Sequence, residues 1–411
     1  MIDPETWDEP ANPTLAGLRV ALVSPGAFAF GGSEEAMAAA LAGLRGAGAL
    51  VRLFGSTDGG GAEVRALALS ESLRPFDRAG ASAVAAFADE LASWADVVDF
   101  QRLAPLELVR ALRGRVPCVL TVHTVEHTCP AGSRFLRRSG STCTQAPGLG
   151  CIAHDRREQC LCFADGRPFS WRDSLHALAQ MRRHRALAQS LDLAIYNSEA
   201  TRRCFERFVG RPRAAVIHPP LIAPAAAARR EASRLVFVGR IESFKGVHDL
   251  PEILAALPGA TLEVVGDGSA LPELRARFAA KNLQARVELR GWASRAEVSA
   301  ALARASCALA PSYGFEAWGM VGPEAIAQGC PVVAYDSGGM AEWCQPPYGT
   351  LVPMGDVAAM AGAARATLER MAGGLDTSSW HAAAERRFGP ARWLGEYAAA
   401  LAPLAAKKAA P

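Results

Sequence analysis

The sequence predicts an α/β protein built as two doubly wound parallel-sheet domains. Three observations carry this. A continuous apolar run, Leu18 to Ser24, leads into Gly31-Gly32-Ser33 and then an Ala/Leu-rich helical stretch, the usual opening of a nucleotide-type fold. The same grammar restarts at Arg234 to Gly239 with RLVFVG. Between them, Leu221 to Ser233 is rich in Ala and Pro and reads as a linker. A chain of 411 residues suffices for two such domains.

Taken in order, residues 15–220 form the first domain. After the strand at Leu18–Ser24, the helix runs from about Glu34 to Arg45, Gly46 and Gly48 stop it, and Leu50 to Phe54 is the second strand. A G-x-G-x-x-G is missing and no acidic residue closes that strand, so this is not the dinucleotide fingerprint. Trp94–Phe100 and Pro117–His123 read as further strands, which places His123 at a strand's carboxyl end, where open α/β sheets hold ligands. Residues 129–162 form a polar, Gly- and Arg-rich insertion of low periodicity with five cysteines: Cys129, Cys143, Cys151, Cys160 and Cys162. A helix follows over Trp171–Ser190, and Leu191–Tyr196 and Ala214–Pro220 complete the domain. The arginines at 182, 183, 185, 202, 203, 207, 211 and 213 could face an anionic acceptor or membrane lipids, or simply form a solvated face.

Residues 234–385 form the second domain. Strands at Arg234–Gly239, Thr261–Val265 and Val287–Leu289 precede the stretch CALAPSYGFEAWGMVGPEAIAQGCPVVAYDSGG, Cys307 to Gly339. It reads as strand, loop, a short helix over Met320–Gln328 with Pro323 in its first turn, and strand. The backbone N–H groups of Trp318, Gly319, Met320 and Val321 lack intrahelical partners and suit a phosphate. Glu316 and Glu324 flank them. Two carboxylates beside a phosphate make sense where both accept from hydroxyls, as sugar and ribose would provide. Residues 386–411 read as a terminal amphipathic helix.

Composition narrows the class. No stretch reaches the ~20 apolar residues of a membrane span, and Met1–Pro13 lacks the apolar core of a signal peptide, so a cytoplasmic protein is expected, with the inner membrane face as a docking option. A net charge of +3 does not argue for nucleic acid. Ten cysteines in such a chain argue for free thiols or metal over disulfides. Within the insertion the spacing lacks C-x2-C knuckles, which leaves a structural zinc on Cys129, Cys143, Cys151 and Cys160, with His154 as an alternate ligand, and free cysteines both open.

The run E-A-W-G-M-V-G-P-E-A-I-A-Q-G-C-P-V-V-A resembles the E-x7-E signature of retaining glycosyltransferases of family 4, and Gly239-Arg240 with Lys245-Gly246 resembles that family's G-R-x-x-x-x-K-G. The resemblance spans about residues 18 to 400 and implies the GT-B fold, two Rossmann-like domains facing across a cleft with the terminal helix crossing back to the first. It implies transfer of a hexose from a nucleotide diphosphate sugar to an unidentified acceptor hydroxyl, with retention. It assigns Arg240 and Lys245 to the diphosphate, Glu316 to the sugar, Glu324 to the ribose, Gly32 and Gly239 to close backbone approach, and His123 to the sugar from the other domain. Two fixed cations can neutralise a diphosphate leaving group without a metal, and no D-x-D triad occurs, so no catalytic cofactor is expected. A sugar-nucleotide epimerase and a silent partner subunit of the same fold are the rival readings.

Overall fold

The computed structural model of the protein describes residues 15–24, 32–55, 64–66, 80–162, 167–224 and 228–409. Gly31 lies outside them. The first domain runs β1 (Arg19–Ser24), α1 (Gly32–Gly46), β2 (Leu50–Gly55), β3 (Val64–Ala66), α2 (Gly80–Trp94), β4 (Val97–Gln101), α3 (Leu106–Leu112) and β5 (Cys118–Val122). The insertion holds β6 (Phe135–Leu136), β7 (Ser141–Thr142) and α4 (Gly150–Glu158). Then come α5 (Trp171–Ala188), β8 (Leu193–Tyr196), α6 (Glu199–Phe208) and β9 (Ala214–Val216). Seven strands form one parallel sheet in the order β3-β2-β1-β4-β5-β8-β9.

The second domain runs β10 (Arg234–Val238), α7 (Leu250–Ala255), β11 (Thr261–Val265), α8 (Leu271–Ala280), β12 (Val287–Gly291), α9 (Arg295–Arg304), β13 (Cys307–Ala310), α10 (Val321–Ala327), β14 (Val332–Tyr335) and β15 (Gly349–Val352). Helices α11 (Val357–Ala372) and α12 (Trp380–Phe388) follow. Its six parallel strands are ordered β12-β11-β10-β13-β14-β15. The last helix, α13 (Pro390–Ala409), returns to the first domain.

Alternation along each strand feeds two cores per sheet, as expected when both faces are covered. In β1, Ala21 and Val23 point to one core with Phe87 and Phe100, while Val20 and Leu22 point to another with Trp393, Tyr397 and Leu401 of α13. The linker is not loose where it is described. Leu221 and Ala223 belong to a core of the second domain, and Leu221 N–H donates to the Phe388 carbonyl at 2.6 Å. The packing of that domain therefore extends to Phe388, past the boundary expected at 385.

Three sequence readings need correction. Trp94 ends α2 instead of opening a strand, because the stripe Val84, Phe87, Ala88 and Leu91 carries the helical period through it. The sequence also reads as helical beyond Gly349, but β15 (Gly349–Val352) precedes the helices there. The insertion is not structureless. Arg134, only 3% exposed, sends its guanidinium to the carbonyls of Thr128, Cys143 and Gln145 at 2.7, 2.8 and 2.9 Å and lies over the Phe208 ring. That side chain does the stapling for which the cysteines were nominated. Among the described residues no helix is long and apolar enough to cross a membrane.

Candidate active site

The second domain assembles its charged cluster by docking two loops. The 3-10 turn Ser243–Lys245 follows β10, and the Phe244 carbonyl accepts from Tyr313 and Gly314 N–H, both at 2.9 Å. Gly246 makes this approach feasible: its φ is +69°, and a Cβ there would stand 1.7 Å from the Pro311 carbonyl oxygen. Lys245 is thereby set against Glu316, and the two form an ion pair. Ser312 Oγ donates to the same carboxylate oxygen at 2.8 Å. Burial would push the Glu316 carboxyl up, but Lys245, Ser312 and Arg240 outweigh it and hold it below the ordinary carboxylate range. Arg240 rests over the Phe244 ring and contributes to the same field. Gly239, just before it, follows β10 with an N–H bonded to the Val265 carbonyl at 3.0 Å.

Residues 338–339 pack directly behind the Glu316 loop. A Cβ on Gly338 would meet the Glu316 carbonyl at 2.1 Å, and one on Gly339 the Ala317 carbonyl at 2.5 Å. Trp318 is buried: its ring stacks on His218, and its carbonyl accepts from Trp343 Nε1 at 2.7 Å. Its side chain thus packs between the two domains. Gly319 and Met320 lead into α10, where Val321 is the first residue and Gly322 N–H already returns to the Gly319 carbonyl at 3.0 Å. Glu324 is buried and paired with Arg295 Nη1 at 3.2 Å.

His123 belongs to a separate network in the first domain. Asp99 is fully buried in β4 and accepts from Thr121 Oγ1 at 2.9 Å, from Gln101 Nε2 at 2.6 Å and from the Tyr397 hydroxyl of α13. With its amide nitrogen so committed, Gln101 offers Oε1 to His123 Nε2 at 2.8 Å, which makes that nitrogen the protonated one. Asn197 Nδ2 approaches Nδ1 at 3.3 Å. Both ring nitrogens are therefore engaged within the first domain, and a sugar would have to displace the longer Asn197 contact. Burial, aided by Arg102, lowers the His123 pKa to about 4, and burial raises Asp99 to about 6. Gln101, Thr121, His123 and Asn197 line a depression closed by Trp393 and Tyr397. Gly32 opens α1.

The structure thus unites Arg240, Lys245 and Glu316, leaves Glu324 with Arg295, and holds His123 on the other domain. Asp99, Gln101, Asn197 and Ser312 were not foreseen; an acidic residue inside the apolar run VVDF was the one signal available for Asp99. Cys129, Cys143, Cys151 and Cys160 share one neighbourhood, since burial first and then Asp155 and the other three thiols raise Cys160 to about 12. All are free, and among the described residues no group of three or more His, Cys, Asp or Glu is arranged to hold a metal ion. The zinc expectation gains no support. Of the foreseen basic face, Arg183 pairs with Glu107, Arg202 and Arg211 with Glu206, and Arg203 with Glu199.

Comparison with known proteins bears on the second domain and on the fold. Residues 232–370 match the family model of glycosyl transferases group 1. Glycogen synthase of Mycobacterium tuberculosis is 34% identical over 142 residues, covering 33% of this chain and 34% of that protein, in each of two strains. The match thus spans about a third of the curated relatives' length. Anabaena HepE, crystallised with UDP, superposes with a TM-score of 0.66 at 18% identity over 94% of this chain and 100% of its own. Sucrose-phosphate synthase of Thermosynechococcus elongatus gives 0.63 at 18% identity over 95% and 97%. The described residues have the GT-B fold, and residues 232–370 match the group 1 glycosyl transferase family.

Proposed function

We propose that this protein is a retaining glycosyltransferase that moves a hexose from a UDP-sugar to an acceptor hydroxyl. The observation that carries the reading is the Arg240, Lys245 and Glu316 cluster, built by two docked loops inside the region that matches the glycosyl transferase family. A fold neighbour crystallised with UDP supports the choice of base. Lys245 and Arg240 take the diphosphate and stabilise charge as it leaves, as preorganised cations do. Glu316, released from Lys245, accepts from sugar hydroxyls, and Glu324 from the ribose. The bond from the anomeric carbon to the phosphate oxygen breaks, the acceptor oxygen bonds the same carbon on the same face, and its proton passes to the leaving phosphate. No catalytic metal takes part. The acceptor is a polysaccharide, glycolipid or natural-product hydroxyl.

The test is a thermal-shift panel of UDP-, GDP-, ADP- and dTDP-sugars, followed by NMR of the product with the best donor. Stabilisation by UDP-sugars, a retained anomeric coupling and activity in excess EDTA are expected. An isomerised nucleotide sugar without transfer would establish the epimerase, and failure to bind any donor the silent subunit.

A further inference from the structure

The first turn of α6 in the first domain has two backbone donors that its own N-cap leaves free. Ser198 caps Thr201 N–H, which leaves Glu199 and Ala200. Both are satisfied from the second domain: Glu342 Oε2 accepts from Glu199 N–H and Oε1 from Ala200 N–H, each at 3.1 Å. The same carboxylate meets His218 Nε2 at 3.1 Å. His218 lies on the segment joining the domains, and its ring stacks on Trp318 with centroids 4.2 Å apart and planes 20° from parallel. Trp318 is tied back to Trp343, the residue after Glu342. Beside this ring of contacts, Thr201 Oγ1 donates to the Ala317 carbonyl at 3.2 Å, and a Cβ on Gly339 would collide with Ser198.

We infer that Glu342 is a positioning residue: it latches the second domain onto the start of α6 and, through His218 and Trp318, fixes the 316–318 loop. The carboxylate is half-buried and sits on another domain's helix start, where negative charge is favoured by the exposed N–H groups. The effect on catalysis rests on the glycosyltransferase reading; the latch itself does not.

The experiment uses the full chain and the variants Glu342→Gln and Glu342→Ala. Hydrogen exchange by mass spectrometry, without ligand, should rise about tenfold in peptides covering 197–203 and 316–322, as fits the loss of charge-assisted hydrogen bonds. Solution scattering should show a larger radius of gyration. With a UDP-hexose, kcat should fall about tenfold while donor KM stays within twofold. Unchanged exchange and scattering would overturn the latch, and exchange raised at 197–203 but not at 316–322 would overturn the positioning role, as would an unchanged kcat. Should Glu342→Ala not fold, Glu342→Gln keeps the shape and decides. A wild type without transfer activity would fail the functional reading, with exchange still deciding the latch.

Discussion

Lys245 and Glu316 neutralise each other in the structure, and on the proposed function each would hold the other's place until a donor binds. A diphosphate offers Lys245 more negative charge than Glu316 does, and sugar hydroxyls offer Glu316 donors in return. Lys245→Ala and Glu316→Ala should each lower kcat by about 10²–10³ with the circular dichroism spectrum unchanged. Near wild-type turnover in either would show the cluster to be structural. A second residue-scale prediction concerns pH. Asp99, raised from 3.8 to about 6, contributes stability that is full below pH 4 and lost as pH rises through 6. His123, lowered from 6.5 to about 4, contributes stability that is full above pH 6.5 and lost as pH falls through 4. Each swing is about 3 kcal/mol, and the two oppose one another across one window. In Asp99→Asn the melting temperature should therefore climb from pH 4 to 6.5, and in His123→Asn it should fall from pH 4 to 6. Curves parallel to wild type in both would refute the assignment.

At the scale of elements, the insertion shows what periodicity cannot reveal. Its hairpin and α4 are short and its organiser is one buried arginine, a residue type that sequence patterns assign to surfaces. Arg134 satisfies three carbonyls at once, and Arg134→Ala leaves the Thr128 carbonyl buried without its donor and two half-buried ones short of theirs, at a cost of about 2–3 kcal/mol. Protease cleavage should then concentrate between residues 129 and 162, measured against the intact β10–β15 domain; uniform cleavage would argue against a local staple. The second-domain elements were legible, by contrast. Runs such as RLVFVG and CALA, and the glycines at 239, 246 and 329, fix strand ends and turns locally. Asp99, Asn197 and Glu342 were not, because their partners lie up to 298 residues away in sequence, as for Asp99 and Tyr397.

For the whole molecule, α13 couples the ends of the first domain. Tyr397 gives its hydroxyl to Asp99 and stacks on Trp393, so Tyr397→Phe should lower the unfolding free energy of the first domain by about 1–2 kcal/mol, seen as a lower denaturant midpoint and more than the loss of a surface hydroxyl. An unchanged midpoint would mean that Gln101 and Thr121 suffice for Asp99.

The return of α13 also has a meaning in time. Everything from β10 to α12 is translated between β9 and the helix that covers β1, roughly 170 residues, or ~10–30 s of ribosomal elongation. During that interval the core of Leu22, Val97 and Ile195 has α1 but lacks the share that α13 contributes, and Asp99 lacks one of its donors. The second domain can fold first, although it is made later. A released chain ending before Pro390 would therefore hold a complete second domain beside a first domain whose apolar face lacks α13, the form that a chaperone would recognise.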